Sequence, residues 1–262
     1  MLKITGNYFL GIFLYTLVII LLADFGRILL KYVFHASWIH SRTAFTVAGA
    51  ICALLILLLS ACGIFHAKYI KTTSYDVIIN KTIPERTSMK VVLLADTHFG
   101  YNAGVLHARE LVRKINKQKP DLVCIAGDIF DNEYDAIRNP EKLEKNLRGI
   151  KSTYGVYACW GNHDLNEEIL AGFTFKHKDG DLSNIKDPRM KKFLEDSNIH
   201  ILEDESVLIN DQFYVIGRKD ASLTEKIHET RKAPAQLTEK LDRDKPIIMI
   251  DHQPKELQEL AD

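Results

Sequence analysis

The sequence predicts an α/β fold whose central parallel sheet is buried on both faces. Three near-continuous apolar runs, residues 91–95, 122–126 and 156–160, are separated by segments with helical periodicity. Strands without alternation of apolar and polar residues are typical of a sheet covered on each side by helices or by a second sheet. Two long apolar segments precede this region, so we also expect two transmembrane helices ahead of the α/β domain.

Composition limits the possible classes of protein. A chain of 262 residues can hold one sizeable domain and a small additional element. Its 34 basic and 34 acidic residues cancel, so the net charge gives no reason to expect a nucleic-acid partner. Four cysteines in a chain of this length do not make a disulfide framework. We expect Cys124 and Cys159, which lie in predicted strands, to be small buried apolar side chains.

The first 70 residues contain the two candidate membrane spans. Residues 8–23 are apolar, the pattern resumes over residues 28–34, and residues 45–65 are apolar and uncharged. A helix needs about 20 apolar residues to cross a bilayer core, and the second segment meets this requirement. The first meets it only if the span ends near Asp24, or if Asp24 and Arg27, three residues apart, pair on one helix face. Two spans are favoured; the alternative is one span preceded by an interfacial helix.

We divide the chain into a membrane anchor (residues 1–67), a juxtamembrane linker (68–88) and an α/β domain (89–262). Two spans make a multi-pass protein of the cell membrane, with the N-terminus and the α/β domain on one side. The positive-inside rule does not choose that side, because each side carries three basic residues. These are Arg27, Lys31 and Arg42 in the connecting loop, and Lys3, Lys68 and Lys71 on the opposite side.

The elements of the α/β part follow from periodicity and from turn residues. Leu106, Leu111 and Ile115 lie on one side of a helix over residues 106–117. Pro140 is favoured in the first turn of a helix that extends to about Ile150. The remaining predicted elements are a strand over Tyr75 to Asn80, a long polar insertion over residues 165–187, a helix over 189–197, strands over 206–209 and 213–217 flanking an Asn210-Asp211 turn, a strand over 247–250, and a helix over 255–260.

Polar clusters follow the predicted strands at their carboxyl ends. They are Asp96-Thr97-His98, Gly127-Asp128-Ile129-Phe130-Asp131, Gly161-Asn162-His163-Asp164 and, after strand 247–250, Asp251-His252. Asp96 and His98 are two apart, so an extended backbone points both side chains the same way. Gly127 allows a sharp turn before Asp128. Carboxylate, imidazole and amide ligands together suit Mn, Fe or Zn, and the sequence does not choose among these metals.

The order DxH, GDxxD, GNHD resembles the calcineurin-like metallophosphoesterase superfamily, in its membrane-anchored bacterial branch. The resemblance covers about residues 88–262 and implies a four-layer α/β/β/α sandwich. It implies a dinuclear metal-dependent phosphohydrolase that cleaves phosphoesters through a hydroxide bridging two divalent metal ions. Asp96 and His98 are then ligands of the first metal, Asp128 is the bridging carboxylate, and Asn162 and His252 are ligands of the second metal.

The same resemblance assigns the residues beside the leaving group. It implies that His163 is the catalytic histidine and that Asp164 is the carboxylate that orients it. Asp131, the last residue of GDxxD, takes a supporting role. The substrate is a phosphoester, and the membrane anchor suggests one that is lipid-linked.

Each motif alone has a simpler interpretation. Asp96 could cap a helix, and residues 128–131 could form a turn. All of the motifs in this order, each after a buried strand, favour the metal site, and GNHD is the most specific of them. Residues 217–220 could place a cation near substrate phosphate, but a solvated turn is the preferred interpretation. Four other histidines are expected to be ordinary surface or packing residues: His107, His177, His200 and His228.

The family's GHxH motif, which supplies further metal ligands, does not occur in this sequence, which ends at Asp262 soon after His252. We expect a C-terminally incomplete domain from a longer product, since the predicted helix over 255–260 lacks a termination signal. A natural truncation with two half-built metal sites is the alternative. It favours a rival function, a non-catalytic membrane scaffold or sensor on a degenerate phosphoesterase fold. A transporter or channel subunit is disfavoured, because few polar residues lie in the predicted spans.

Overall fold

The computed structural model describes residues 2–84, 86–167, 169–170, 173–174, 185–256 and 258–259. Its contacts define two compact units, Met1–Lys71 and Thr72–Asp262.

The first unit is a pair of long helices. Helix α1 (Leu2–Tyr32) is followed by a short 3-10 turn, Ser37–His40, and by helix α2 (Arg42–Ala67). Both helices are long and apolar enough to cross a membrane. Asp24 Oδ1 lies 3.5 Å from Arg27 Nη2, which confirms the predicted pairing, and α1 continues past both charges without a break.

The second unit alternates strands and helices. In chain order, its elements are β1 (Val91–Leu94), α3 (Val105–Gln118), β2 (Leu122–Ala126), a 3-10 turn (Tyr134–Ala136), α4 (Pro140–Leu147), β3 (Val156–Cys159), β4 (Ile169–Leu170), β5 (Phe173–Thr174), α5 (Pro188–Asp196), β6 (His200–Ile201), β7 (Glu205–Ile209), β8 (Phe213–Gly217), α6 (Ala221–Lys226), α7 (Pro234–Thr238) and β9 (Ile247–Ile250).

Two sheets form the frame of this unit. The first is parallel throughout, in the order β1-β2-β3-β6, and the second has the order β7-β8-β9. In the second sheet β7 and β8 are antiparallel, whereas β8 and β9 are parallel. Strands β4 and β5 make a separate antiparallel pair.

A hydrophobic core between the two sheets holds them together. Leu122, Cys124 and Ala126 of β2 pack in one cluster with Phe213 of β8 and Ile250 of β9. Right-handed crossovers between successive parallel strands place α3, α4 and α5 on the opposite face of the first sheet. Strands β2 and β3 are therefore buried on both faces, whereas β1, at the edge of the sheet, is partly exposed, so the burial expected for residues 91–95 is not found. The predicted α/β class with packed sheets is confirmed.

Most predicted elements match the structure to within a few residues. Strands β2, β8 and β9 have the predicted bounds. Asn210 and Asp211 both have positive φ, as tight hairpin turns require, and they connect β7 to β8. Much of the predicted insertion over residues 165–187, like part of the predicted helix over 255–260, lies outside the described residues. Within that helix, residues 255–256 are not helical and residues 258–259 are.

The predicted strand from Tyr75 to Asn80 is wrong. This segment has no strand assignment, and Val77 and Ile78 are 81% and 93% exposed. A strand needs a neighbour to pair with its backbone, and within the described residues this segment has no β-pairing.

Leu93 of β1 is also 68% exposed, although it pairs in register with the buried Cys124 of the inter-sheet core.

The two strand cysteines behave as predicted. Cys124 and Cys159 are free thiols, buried to 2% and 0% exposure. Burial raises the pKa of the Cys124 thiol to about 12, because a thiolate would lose its hydration there. Both side chains therefore serve as small apolar packing groups.

Candidate metal centre

The candidate site lies where loops after β1, β2, β3 and β9 meet. The loop after β1 runs alongside the loop after β2. The backbone N–H of Asp96 donates to the carbonyl of Gly127 at 3.2 Å, and that of His98 donates to the carbonyl of Asp128 at 3.0 Å. These bonds hold the first two motifs in a fixed relation.

The backbone at this junction departs from the extended form that we expected. Asp96, His98 and Asp128 have φ of 53°, 41° and 50°, in the left-handed region that non-glycine residues rarely adopt. Asp96 and His98 thus lie beyond the end of β1 rather than on an extended strand. Their side chains still approach each other, with His98 Nε2 at 3.9 Å from Asp96 Oδ1. Backbone strain of this kind is common at functional sites.

Asp128 is the buried centre of the site, with 3% of its surface exposed. Its Oδ1 accepts the backbone N–H of His163 at 2.8 Å. Its Oδ2 lies 3.7 Å from His98 Nε2 and 3.3 Å from His252 Nε2. Burial raises the pKa of this carboxyl, but the hydrogen bonds from His252 and from the His163 backbone outweigh it, so the net pKa lies below its usual value.

His252 is held so that one ring nitrogen faces the site. Its Nδ1 lies 2.8 Å from the carbonyl oxygen of Ala126, which can only accept, so Nδ1 carries the proton. Its Nε2 lies 3.1 Å from Asn162 Oδ1, in addition to the contact with Asp128. The hydrogen bond with Asp128 raises the pKa of His252 to about 9, against the effect of burial. The site thus stabilises positive charge at this point.

Two glycines allow the loops to approach this closely. A Cβ on Gly161 would lie 2.3 Å from both the backbone nitrogen and Oδ1 of Asp128. A Cβ on Gly127 would lie 2.7 Å from Cγ of His252, and Gly127 also has φ of 73°. No other residue fits at either position without displacing a candidate ligand.

The candidate ligand atoms lie close enough together to hold a metal ion. Ligand atoms of Asp96, Asp128 and His252 all lie within 4.8 Å of one another. Two ligands bonded to one metal at about 2.1 Å are separated by roughly 3 to 3.5 Å. His252 Nε2 lies 3.3 Å from Asp128 Oδ2 and 3.1 Å from Asn162 Oδ1, and both distances fall in this range. The distances from His98 Nε2 to Asp96 Oδ1 and Asp128 Oδ2, 3.9 and 3.7 Å, exceed it by a few tenths of an ångström. Side chains of Asp96 and His98 are 62% and 36% exposed, so this edge of the cluster is open to solvent.

The hydrogen bonds of Asp164 do not match its expected role of orienting His163. Its Oδ1 accepts the backbone N–H of Phe130 at 2.8 Å, and its Oδ2 accepts that of Gly161 at 2.7 Å. Burial raises the pKa of Asp164 to about 7, against the lowering effect of these two donors. Asp164 therefore ties the loop after β2 to the loop after β3, since both of its oxygens are engaged by backbone groups.

Asn132, which the sequence did not single out, takes the place beside His163. Its Oδ1 lies 2.7 Å from His163 Nδ1, and its backbone N–H donates to the carbonyl of His163 at 3.2 Å. Asn132 is 1% exposed, so this contact is shielded from water. Its position directly after GDxxD is the only sequence signal that points to it. The ring of His163 meets that of His98 edge-on, with centroids 5.3 Å apart.

Other predicted residues are more peripheral. Asp131 Oδ1 lies 3.8 Å from His98 Nδ1, in keeping with a supporting role. Gln253, also missed, donates from Nε2 to Asn162 Oδ1 at 2.6 Å. His200 stacks on Tyr157 away from this cluster. His107 and His228 likewise lie outside the cluster of candidate ligands, and His177 is outside the described residues.

The solvated turn predicted for residues 217–220 is wrong. Arg218 is 1% exposed and Asp220 is 0% exposed. Arg218 Nη1 lies 3.0 Å from Asp251 Oδ2, and Asp220 caps α6 by accepting the N–H of Leu223 at 2.8 Å. An arginine directly after a buried strand was the available signal, because a charge at that position needs a buried partner.

Two packed sheets, with carboxylates and imidazoles gathered at strand ends, make an α/β domain with a candidate metal centre at the edge of its sheets. The chain belongs to the calcineurin-like phosphoesterase family, whose model matches residues 89–259.

Relatives of this chain include proteins with membrane segments. It is 30% identical over 116 residues to a bovine (Bos taurus) transmembrane protein with metallophosphoesterase domain, over 44% of this chain and 26% of that protein. It is 21% identical over 201 residues to a metallophosphoesterase of Aquifex aeolicus, over 77% and 69% of the two chains. It is 20% identical over 218 residues to the UDP-2,3-diacylglucosamine pyrophosphatase of Chlamydia trachomatis, over 70% and 64%. Matched regions span 22% to 36% of the length of four of the curated relatives.

Replacing Gly161 by alanine tests the close approach at Asp128. The added methyl group must displace Asp128 or the loop after β3, so we expect a loss of stability of about 2 kcal/mol or more and loss of Mn²⁺ binding. Thermal unfolding and Mn²⁺ titration of the full chain measure the two effects. Gly104→Ala is the control, because a Cβ there has nothing within 4 Å. Mn²⁺ binding by Gly161→Ala equal to that of the wild type contradicts the geometry.

Proposed function

We propose that this chain carries a membrane-anchored, dinuclear metal-dependent phosphohydrolase that cleaves phosphoesters. Residues 1–67 form the anchor, residues 68–88 the linker and residues 89–262 the hydrolase domain. Membership of the calcineurin-like phosphoesterase family supports a phosphoester as the substrate.

The observation that carries this proposal is the position of Asp128 Oδ2 between two histidines. His98 approaches this oxygen at 3.7 Å from the loop after β1, and His252 approaches it at 3.3 Å from the loop after β9. A carboxylate approached by imidazoles from two different loops is suited to contact two cations. We therefore assign the bridging role to the Asp128 carboxylate, whose Oδ1 also accepts the backbone N–H of His163.

The remaining ligands fall into two groups around this bridge. We assign Asp96 and His98 to the first metal, and Asn162 and His252 to the second. Mn, Fe and Zn all accept this mixture of oxygen and nitrogen ligands. Two such ions would lower the pKa of a water molecule toward neutrality and neutralise the phosphoryl oxygens.

His163 is the residue that we assign to the leaving group. Asn132 Oδ1 accepts a hydrogen bond from the Nδ1–H of this ring, which leaves Nε2 available to the phosphoester. In its imidazolium form His163 donates the Nε2 proton to the departing oxygen, and Asn132 keeps the ring in the required orientation. Asp164 contributes indirectly, because it fixes the backbone that carries His163.

We propose a lipid-linked phosphoester as the substrate. One relative, from Chlamydia trachomatis, is a UDP-2,3-diacylglucosamine pyrophosphatase, and the compound in its name carries two acyl chains. Two apolar N-terminal helices would keep the hydrolase domain of this chain close to a bilayer in which such a substrate resides. Comparison of hydrolysis of phosphatidic acid in detergent micelles with that of glycerol 3-phosphate, the same phosphomonoester without acyl chains, tests this preference, and equal rates contradict it.

Substitutions at Asp128 and His163 should separate metal binding from proton transfer. We expect Asp128→Asn to lose Mn²⁺ binding and hydrolysis together, since the bridging charge is removed. We expect His163→Gln to keep the Mn²⁺ content and to lower kcat by about 10² to 10⁴, the usual contribution of a general acid. Metal analysis and steady-state kinetics on the longest natural form of the chain provide the measurements.

His200→Gln is the matched control, since His200 is exposed and stacks on Tyr157. It should behave as the wild type. Unchanged hydrolysis in both Asp128→Asn and His163→Gln contradicts the proposed function.

Membrane anchoring makes a separate prediction. If α1 and α2 cross the bilayer, the protein stays in the membrane fraction after washes with 1 M salt and with alkaline carbonate, and only detergent extracts it. A protein bound only at the surface appears in the supernatant of the carbonate wash, and that result contradicts the two spans.

A further inference from the structure

A buried cluster of charges lies directly behind His252. Arg218 follows β8, Arg231 precedes α7, and Asp251 follows β9. Arg218 Nη1 lies 3.0 Å from Asp251 Oδ2, and Arg231 Nη2 lies 2.5 Å from the same oxygen. Arg218 Nη2 also donates to the carbonyl of Lys232 at 3.2 Å. The guanidinium of Arg218 thus joins its own segment after β8 to the segment before α7 and to the segment after β9.

Burial makes this cluster unusual. The side chains of Arg218, Asp251 and Arg231 are 1%, 5% and 9% exposed. Charges removed from water are tolerated only with close partners, and removal of one partner leaves the others uncompensated. The planar fork of an arginine fixes the direction of its partners in a way that an ammonium group cannot. We expect the cluster to resist displacement of any of its members.

The cluster fixes the backbone on which His252 lies. The backbone N–H of Arg218 donates to the carbonyl of Ile250 at 2.9 Å, and the side chain of Arg218 holds Asp251. Two successive residues before His252 are therefore bound to the end of β8. The peptide that carries His252 has little freedom to turn its ring away from Asp128.

Arg218 has no direct path to a substrate. At 1% exposure its guanidinium is enclosed, and its two terminal nitrogens contact Asp251, the carbonyl of Lys232 and Glu256, the last at 3.1 Å. A cation placed to bind substrate phosphate would be open to the site. The contacts fit a residue that holds another residue in place.

We propose that Arg218 and Arg231 are positioning residues for His252. They hold the Asp251 side chain in place, so that His252 Nε2 faces Asp128 and Asn162. The inference rests on the proposed function in that His252 is there a ligand of the second metal. The restraint on Asp251 itself is a property of the metal-free chain and can be measured without metal.

The test combines hydrogen–deuterium exchange with Mn²⁺ binding on the full chain in detergent, for Arg218→Ala and the milder Arg218→Lys. In the metal-free protein we expect Arg218→Ala to speed exchange of the amides of residues 250–253 at least about tenfold, with β1 to β3 unchanged. We expect affinity for one of two Mn²⁺ ions to fall about 10- to 100-fold, as is usual when the group behind a metal ligand is removed. Arg218→Lys should lie between the alanine variant and the wild type.

Arg86→Ala is the matched control, because Arg86 pairs with Asp121 at 2.6 Å at the amino end of β2, away from His252. It should leave exchange at residues 250–253 and Mn²⁺ affinity unchanged. Wild-type exchange and affinity in a folded Arg218→Lys, or faster exchange spread evenly over both sheets, overturn the positioning role of Arg218. A wild-type chain that binds no Mn²⁺ refutes the proposed function and the ligand role of His252, while exchange still decides whether Arg218 holds the segment.

Discussion

The candidate centre depends on the different environments of the two oxygens of one buried carboxylate. Oδ1 of Asp128 is engaged by the backbone of His163, and Oδ2 is left between His98 and His252. A carboxylate with 3% exposure is costly to ionise unless donors or cations surround it. Each neighbouring loop supplies such a group, so the folding of the loops and the charge of Asp128 depend on each other.

Because the buried Asp128 carboxylate needs groups from several loops close to it, the backbone of those loops has little conformational freedom. Gly127 and Gly161 let the loops after β2 and β3 approach to a distance that no side chain would permit. Asp164 binds one loop to the other through two backbone N–H groups. Positive φ at Asp96 and Asp128 is maintained because the surrounding hydrogen bonds determine it. The two-sheet core provides the rigid support, since β2 and β9, which carry Asp128 and His252, pack in the same cluster.

Sequence patterns predicted the features that recur along the chain, which are apolar strands followed by polar clusters. Apolar runs located the strands β1, β2, β3, β8 and β9 to within one residue, and the polar residues after β1, β2, β3 and β9 supplied the candidate ligands. Contacts between distant loops could not be foreseen. The family resemblance implied that Asp164 orients His163, but Asp164 is engaged by backbone groups. Asn132 and Arg218 acquire their partners only in the folded chain. Tyr75 to Asn80 has the pattern of a strand, but pattern alone does not supply a pairing partner.

Anomalous diffraction from crystals of the Mn²⁺-soaked protein tests the central claim most directly, because it locates each ion without reference to activity. We expect two Mn²⁺ ions about 3.5 to 4 Å apart, both in contact with the Asp128 carboxylate. No ion at this junction, or only one, would contradict the dinuclear site.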